Sequence, residues 1–185
     1  MSIKIQKVKI KNGMFLEYKY EQNLQTVRSN NSSNSDQPIH EDLKNAFIAI
    51  TPHFAFLCEQ INEKQAANII ELGAEDDDFF SNHSVESITL SGQGDTEGIV
   101  ITGSKTLSNL KKISLNTPFT QWDTDYRYLD ELLECVDKIR LEVQLYMDGK
   151  QAERIEEELE NYTDPDDLFE ENFNNDEGAE SLAED

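Results

Sequence analysis

Apolar and polar residues alternate from the start of the chain, with Ile3 and Ile5 on one parity and Val8 and Ile10 on the other. Alternation with period two marks a half-buried strand, and the change of parity predicts a β-bulge near Gln6-Lys7. Asn12-Gly13 separates this segment from a second strand over Met14–Tyr20, a strong two-residue hairpin signal. Arg28 to Gln37 (RSNNSSNSDQ) is polar and low in complexity, and reads as a flexible loop. Pro38 suits the first turn of a helix, with Asp36 upstream as its cap. Leu43, Phe47, Ile50, Phe54, Leu57 and Ile61 recur at helical spacing, one buried stripe that Pro52 kinks or interrupts. An acidic loop over 74–82 is predicted next, its Phe79 and Phe80 docking on the domain. Strand-like runs follow at Val85–Leu90, Gly98–Thr102 and Leu110–Leu115, with turns at the glycines 92, 94 and 98 and at Gly103-Ser104. Thr117-Pro118 ends the sheet region. A second helix is expected to begin near Asp123–Asp125. It carries Leu129, Leu132, Val136, Ile139, Val143 and Tyr146 on one stripe and runs past Gly149 to about Glu160. The order ββ-α-βββ-α predicts an α+β domain: an antiparallel sheet of about five strands with two main helices on one face.

Charge adds a second part to this picture. The 185 residues carry a net charge of −22, and the segment from Gln151 to Asp185 holds fifteen Asp or Glu against one basic residue, Arg154. Like charge at this density repels itself, and the segment has too little apolar surface to offset the entropy of ordering. The expectation is a binding domain over 1–150, followed by a helix extension and a disordered acidic tail over 151–185. No apolar run reaches the length of a membrane span, and the alternating start is unlike a secretory leader. Cys58 and Cys135 sit singly on apolar stripes, as reduced core cysteines do, which predicts a cytoplasmic setting.

Within 1–150 the sign of charge follows the predicted elements. Residues 1–30 carry six basic and two acidic groups, and residues 99–122 carry Lys105, Lys111 and Lys112 with no acid. The strands are therefore basic, whereas the helices and loops are acidic. If helices cover one face of the sheet, the other can present Lys4, Lys9, Lys11, Lys19, Lys105, Lys111 and Lys112, interleaved with Phe15, Tyr18 and Tyr20. Cations for phosphates and flat rings for bases are what a single strand of DNA or RNA needs. The competing account is that solvent-side lysines protect edges and solubility, while tyrosines pack half-buried.

The tail contains Asp166, Asp167, Leu168, Phe169 and Phe173 in one acidic stretch. Large apolar groups there suit docking into a partner's pocket, with the acids meeting a basic rim. The stretch resembles the acidic C-terminal tails of single-stranded-DNA-binding proteins. That resemblance implies recruitment of replication or repair partners and competition with DNA for a basic cleft. It departs from those tails in that twelve residues follow Phe173. Pro38-Ile39-His40-Glu41-Asp42-Leu43, Ile101-Thr102-Gly103-Ser104-Lys105-Thr106-Leu107 and Leu115-Asn116-Thr117-Pro118-Phe119 resemble stretches of small acidic proteins of tailed phages and prophages. This second likeness implies a replication or recombination context in a host cytoplasm, and no site residues.

Motifs of catalysis are not found. Gly92-Gln93-Gly94-Asp95-Thr96-Glu97-Gly98 misses the dinucleotide fingerprint by one residue and precedes a strand. Gly103-Ser104-Lys105-Thr106 departs from a phosphate loop in its glycine–lysine spacing and in lacking a following helix. Asp76-Asp77-Asp78 lacks the alternating ligands of a calcium loop, and His40, His53 and His83 have no ligand spacing with the cysteines. No catalytic residue, metal or cofactor is expected. Two function classes remain. One is a phage-type single-stranded-DNA-binding or recombination accessory protein. The other is an acidic DNA mimic that inhibits a basic host nuclease or defence protein. A mimic should carry its acids on the folded surface, whereas here they concentrate in the tail.

Overall fold

A computed structural model of the chain describes residues 2–24, 27–74 and 76–153. Strands β1 (Ser2–Lys11) and β2 (Phe15–Leu24) form the predicted hairpin, and Asn12 and Gly13 both take positive φ, as a type I′ turn requires. The register shifts between Ile5 and Lys7. The extra residue brings Ile3, Ile5, Val8 and Ile10 onto one face and leaves Lys4, Lys7, Lys9 and Lys11 on the other. The sheet is antiparallel, ordered β3-β2-β1-β4-β5-β6, with β3 at Val27–Pro38, β4 at His83–Ser91, β5 at Gly98–Thr106 and β6 at Lys112–Asn116. A short β7 (Thr120–Gln121) also pairs with β5. The α+β class and antiparallel pairing are as predicted, with seven strands instead of about five.

The helices are α1 (Glu41–Ala49), α2 (Thr51–Leu57), α3 (Glu63–Ala66) leading into a π-helical turn (Ala67–Glu71), α4 (Asp77–Asn82) and α5 (Leu129–Met147). Leu43, Phe47, Ile50 and Phe54 meet Leu132, Val136, Ile139 and Val143 over the buried sheet residues Ile5, Val8, Leu16, Ile88, Leu90, Ile99 and Ile101. This is one apolar layer between one sheet face and the main helices.

Several expectations are corrected. Pro38 ends a strand, and His40 caps α1 instead of Asp36, its Nδ1 accepting from the Asp42 N–H at 3.2 Å. Pro52 does interrupt the helical stripe, between α1 and α2. The Thr51 hydroxyl donates to the Phe47 carbonyl at the break (3.0 Å). Part of the 74–82 loop is α4, capped by Asp76; it buries Phe79 and half-buries Phe80. Gly103-Ser104 is strand interior, not a turn. A Cβ on Gly103 would stand 2.3 Å from the Ser84 carbonyl oxygen and 2.9 Å from Phe54 Cζ, so the glycine serves close packing of α2 on the sheet. The second helix starts at Leu129 because Tyr126 and Tyr128 first pack against Phe56. It stops at Met147, where Gly149 (φ 103°) turns the chain and Gln151 bridges to Ile39. Beyond Glu153 the predicted extension and tail lie outside the described residues.

The largest correction is the 28–37 segment, which is the edge strand β3 and not a flexible loop. Its side chains are polar, so no apolar alternation announces it. Backbone pairing with β2 and one tyrosine hold it in place. Tyr146 Oη on α5 lies 2.7 Å from the Gln37 carbonyl and 2.6 Å from Ser35 Oγ. A carbonyl can only accept, so the phenol donates to Gln37 and accepts from Ser35. Tyr146→Phe removes two part-buried hydrogen bonds and should cost about 1–3 kcal/mol. Urea unfolding of the variant against wild type measures this, and an unchanged midpoint would mean that β3 is held otherwise.

Candidate nucleic-acid interface

The face of the sheet away from the helices is built by the β1 bulge and by alternation in β2. Leu16 is buried, so Glu17, Lys19 and Glu21 point the other way, together with Phe15. The register sets Lys7 opposite Lys19 on one side and Thr89 on the other, Lys9 between Glu17 and Ser87, Lys4 opposite Glu21, and Lys11 opposite Phe15. Lys4, Gln6, Lys7, Lys19, Thr89, Ser91 and Gln93 help to line a groove of about 670 Å³ at one end of this face.

Ion pairing divides the lysines into two groups. Lys4 Nζ lies 3.5 Å from Glu97 and 3.3 Å from the Gly92 carbonyl, and Lys11 lies 3.4 Å from Glu17. Glu21 takes Arg28 at 3.7 Å. Among the described residues no carboxylate pairs with Lys7, Lys9 or Lys19. Like charges directly opposite across a strand pair repel, and Lys7 with Lys19 is such a pair. An anion placed between them relieves that repulsion.

The other candidates separate. Lys112 shares the parity of this face through the Lys112–Thr106 and Asn116–Thr102 pairs, but on the far edge strand. Lys111 is exposed in the turn before β6. Lys105 turns to the helix side and donates to Gln60 at 3.2 Å. Tyr18 and Tyr20 lie on the helix-covered face, where Tyr18 meets Tyr146 edge-on with 6.4 Å between ring centres. The tyrosines are thus not interleaved with the lysines, and Phe15 is the one predicted aromatic on the lysine face. Lys7 was missed from the sequence. The signal was present, because a bulge at Gln6 puts Lys7 on the parity of Lys9 and Lys11. Asp166, Asp167, Leu168, Phe169 and Phe173 lie outside the described residues.

The helix layer carries the opposite sign, with Asp130, Glu134 and Asp137 exposed along α5. Both cysteines are free and half-buried, and burial pushes the Cys58 thiol up and the Cys135 thiol up to about 11, away from nucleophilic thiolate. Among the described residues no helix is long and apolar enough to cross a membrane. No protein-family model, no curated protein and no solved structure matches the chain.

Proposed function

We propose that the lysine face binds the phosphate backbone of single-stranded DNA, and that the protein is a phage-type single-stranded-DNA-binding or recombination accessory factor acting in the host cytoplasm. The observation that carries this reading is the uncompensated set Lys7, Lys9 and Lys19 on one sheet face of a protein whose net charge is −22. Three cations that join no ion pair among the described residues, on an otherwise acidic protein, suit a ligand that brings its own negative charge. With Tyr18 and Tyr20 turned inward, the contact rests on phosphates, and Phe15 supplies the ring for stacking. In this reading Leu168, Phe169 and Phe173, set among Asp166 and Asp167, recruit a replication or recombination partner.

Residues 161–185 hold ten acids and no Lys or Arg. A tethered polyanion competes with DNA for the same cations, so deleting this segment should tighten binding by about an order of magnitude at low salt. Titration of a labelled oligonucleotide with full-length and truncated protein tests it. No binding by either form, or weaker binding after truncation, overturns the reading. The alternative, an acidic DNA mimic directed at a basic host nuclease or defence protein, draws on the exposed acids of α5. It is favoured if the truncated domain ignores DNA yet binds such a protein, and loses that binding when Asp130, Glu134 and Asp137 are changed to Asn or Gln.

A further inference from the structure

The uncompensated charge on the lysine face is confined to one small cell of the sheet. Lys7 stands directly opposite Lys19, and Lys9 follows two residues along β1. Directly opposed Cβ atoms lie about 4.5–5.5 Å apart, and two residues of strand advance about 7 Å. Lysine side chains are long enough to converge from such a cell on a single anion. On the other flank of Lys7 the register places Thr89, whose hydroxyl can donate to the same anion. The bulge residue Gln6 lines the groove beside them, with Ser91 and Gln93.

Outward from this cell the cations are already neutralised. Lys4 meets Glu97 at 3.5 Å, and Glu17, which stands opposite Lys9, pairs with Lys11 at 3.4 Å. Glu21 also lines the groove and has Arg28 at 3.7 Å. A strand that crosses the face carries one charge at every nucleotide and finds free cations only within the cell. The end of a strand is different. A terminal phosphomonoester holds about 1.5 to 2 negative charges at pH 7 and three strong acceptor oxygens on one phosphorus. Three lysines in one cell, with no ion pair among the described residues, match that concentration of charge. The groove of about 670 Å³ falls within the range of about 300–1,000 Å³ for sites that take a small molecule, which leaves room for the nucleotide that bears the phosphate.

We propose, resting on the reading of this face as a strand-binding surface, that it takes a single strand by its phosphorylated end. The terminal phosphate sits between Lys7 and Lys19, Lys9 and the Thr89 hydroxyl complete the donors, and the last nucleotide lies in the groove toward Gln6 and Gln93. The phosphate relieves the repulsion between two lysines held opposite one another. A diester at the same place brings one negative charge, so the middle of a strand binds more weakly than its end. A phosphate on either the 5′ or the 3′ terminus has this chemistry.

Three oligonucleotides of one sequence, each with an internal dye and bearing a 5′-phosphate, a 3′-phosphate or neither, test this by fluorescence anisotropy. The full chain is titrated at about 50 mM salt, where phosphate contacts count most. At least one phosphorylated form should bind about tenfold more tightly than the unmodified one, and the form that gains identifies the end. The preference should shrink as the pH falls from about 7.5 to about 5.5, because the phosphomonoester takes up its second proton near pH ~6. Lys7→Gln and Lys19→Gln should each bring the three oligonucleotides to nearly equal affinity, whereas Lys138→Gln, exposed on α5, should keep the preference. A thermal melt of each variant checks that it is folded. Equal affinity of wild type for all three overturns the end site and leaves the strand-binding reading standing, whereas binding of none of them overturns both. A preference that survives Lys7→Gln and Lys19→Gln also overturns the end site.

Discussion

Changing Lys7, Lys9 and Lys19 together to Glu should weaken oligonucleotide binding sharply and leave the domain folded. Each lysine that meets a phosphate releases a counterion, so losing three should reduce the slope of log affinity against log salt by roughly 2 to 3. At about 50 mM salt the affinity should drop on the order of 100-fold, taking each contact as about 1 kcal/mol. Stability should hardly move, because Lys7 and Lys19 already repel one another across the hairpin and none of the three joins an ion pair among the described residues. Lys7→Gln, Lys9→Gln and Lys19→Gln in one chain removes the charge without reversing it, and should show the same loss of slope with a smaller loss of affinity. Fluorescence anisotropy over a salt series, with a thermal melt of each variant, measures both effects. An intact slope in the reversed variant would move the site off this face.

Acidification should destabilise the domain through His53, and the effect should be large. His53 is 2% exposed on α2, with Nδ1 2.9 Å from the Tyr126 hydroxyl. Burial pulls its pKa from the usual 6.5 down to about 4, while burial of Tyr126 pushes the phenol pKa up and keeps its proton on. The unfolded chain takes a proton near pH 6.5, whereas the folded chain resists until about pH 4. The unfolded state thus binds more protons across that window, and stability falls with pH at up to about 1.4 kcal/mol per unit. His53's contribution is full above pH 6.5 and is lost as the pH falls through about 4, a total of about 3 kcal/mol. Burial also lowers the pKa of His83, which adds a slope of the same sign, so the comparison must be differential. Urea unfolding of wild type and His53→Gln between pH 7 and 4 isolates the one group. The variant should lose about one proton's worth of slope, and parallel curves would show that His53 titrates normally in the fold.

The elements carried by apolar residues were legible in the chain. The parity change between Ile3 and Ile5 on one side and Val8 and Ile10 on the other demands a bulge, and the stripe from Leu43 to Phe54 demands a helix broken at Pro52. Strand β3 was not legible, because an edge strand gains its order from backbone pairing with β2 and from the Tyr146 hydroxyl, and neither leaves an apolar period. The helix end at Met147 was announced by Gly149, but the acidic run beyond it suggested continuation. For the candidate site the faces could have been sorted further. Tyr18 and Lys19 are neighbours in one strand and must point to opposite sides, so a tyrosine on the parity of buried Leu16 cannot join that lysine. Lys105 needed the fold, since only the position of Gln60 shows which way it turns.

The alternation along β1 makes the chain unequally sensitive to two kinds of genetic change. A substitution at any one of the four lysines of β1 alters one unit of charge and leaves the others where they are. Loss of the Gln6 codon removes only the extra residue and leaves Ile3, Ile5, Val8 and Ile10 alternating with Lys4, Lys7, Lys9 and Lys11, so each face keeps its residues, whereas loss of an inner lysine or isoleucine codon breaks the alternation. A homologue that keeps the lysine face should keep this alternation of apolar and basic residues, with the bulge or without it.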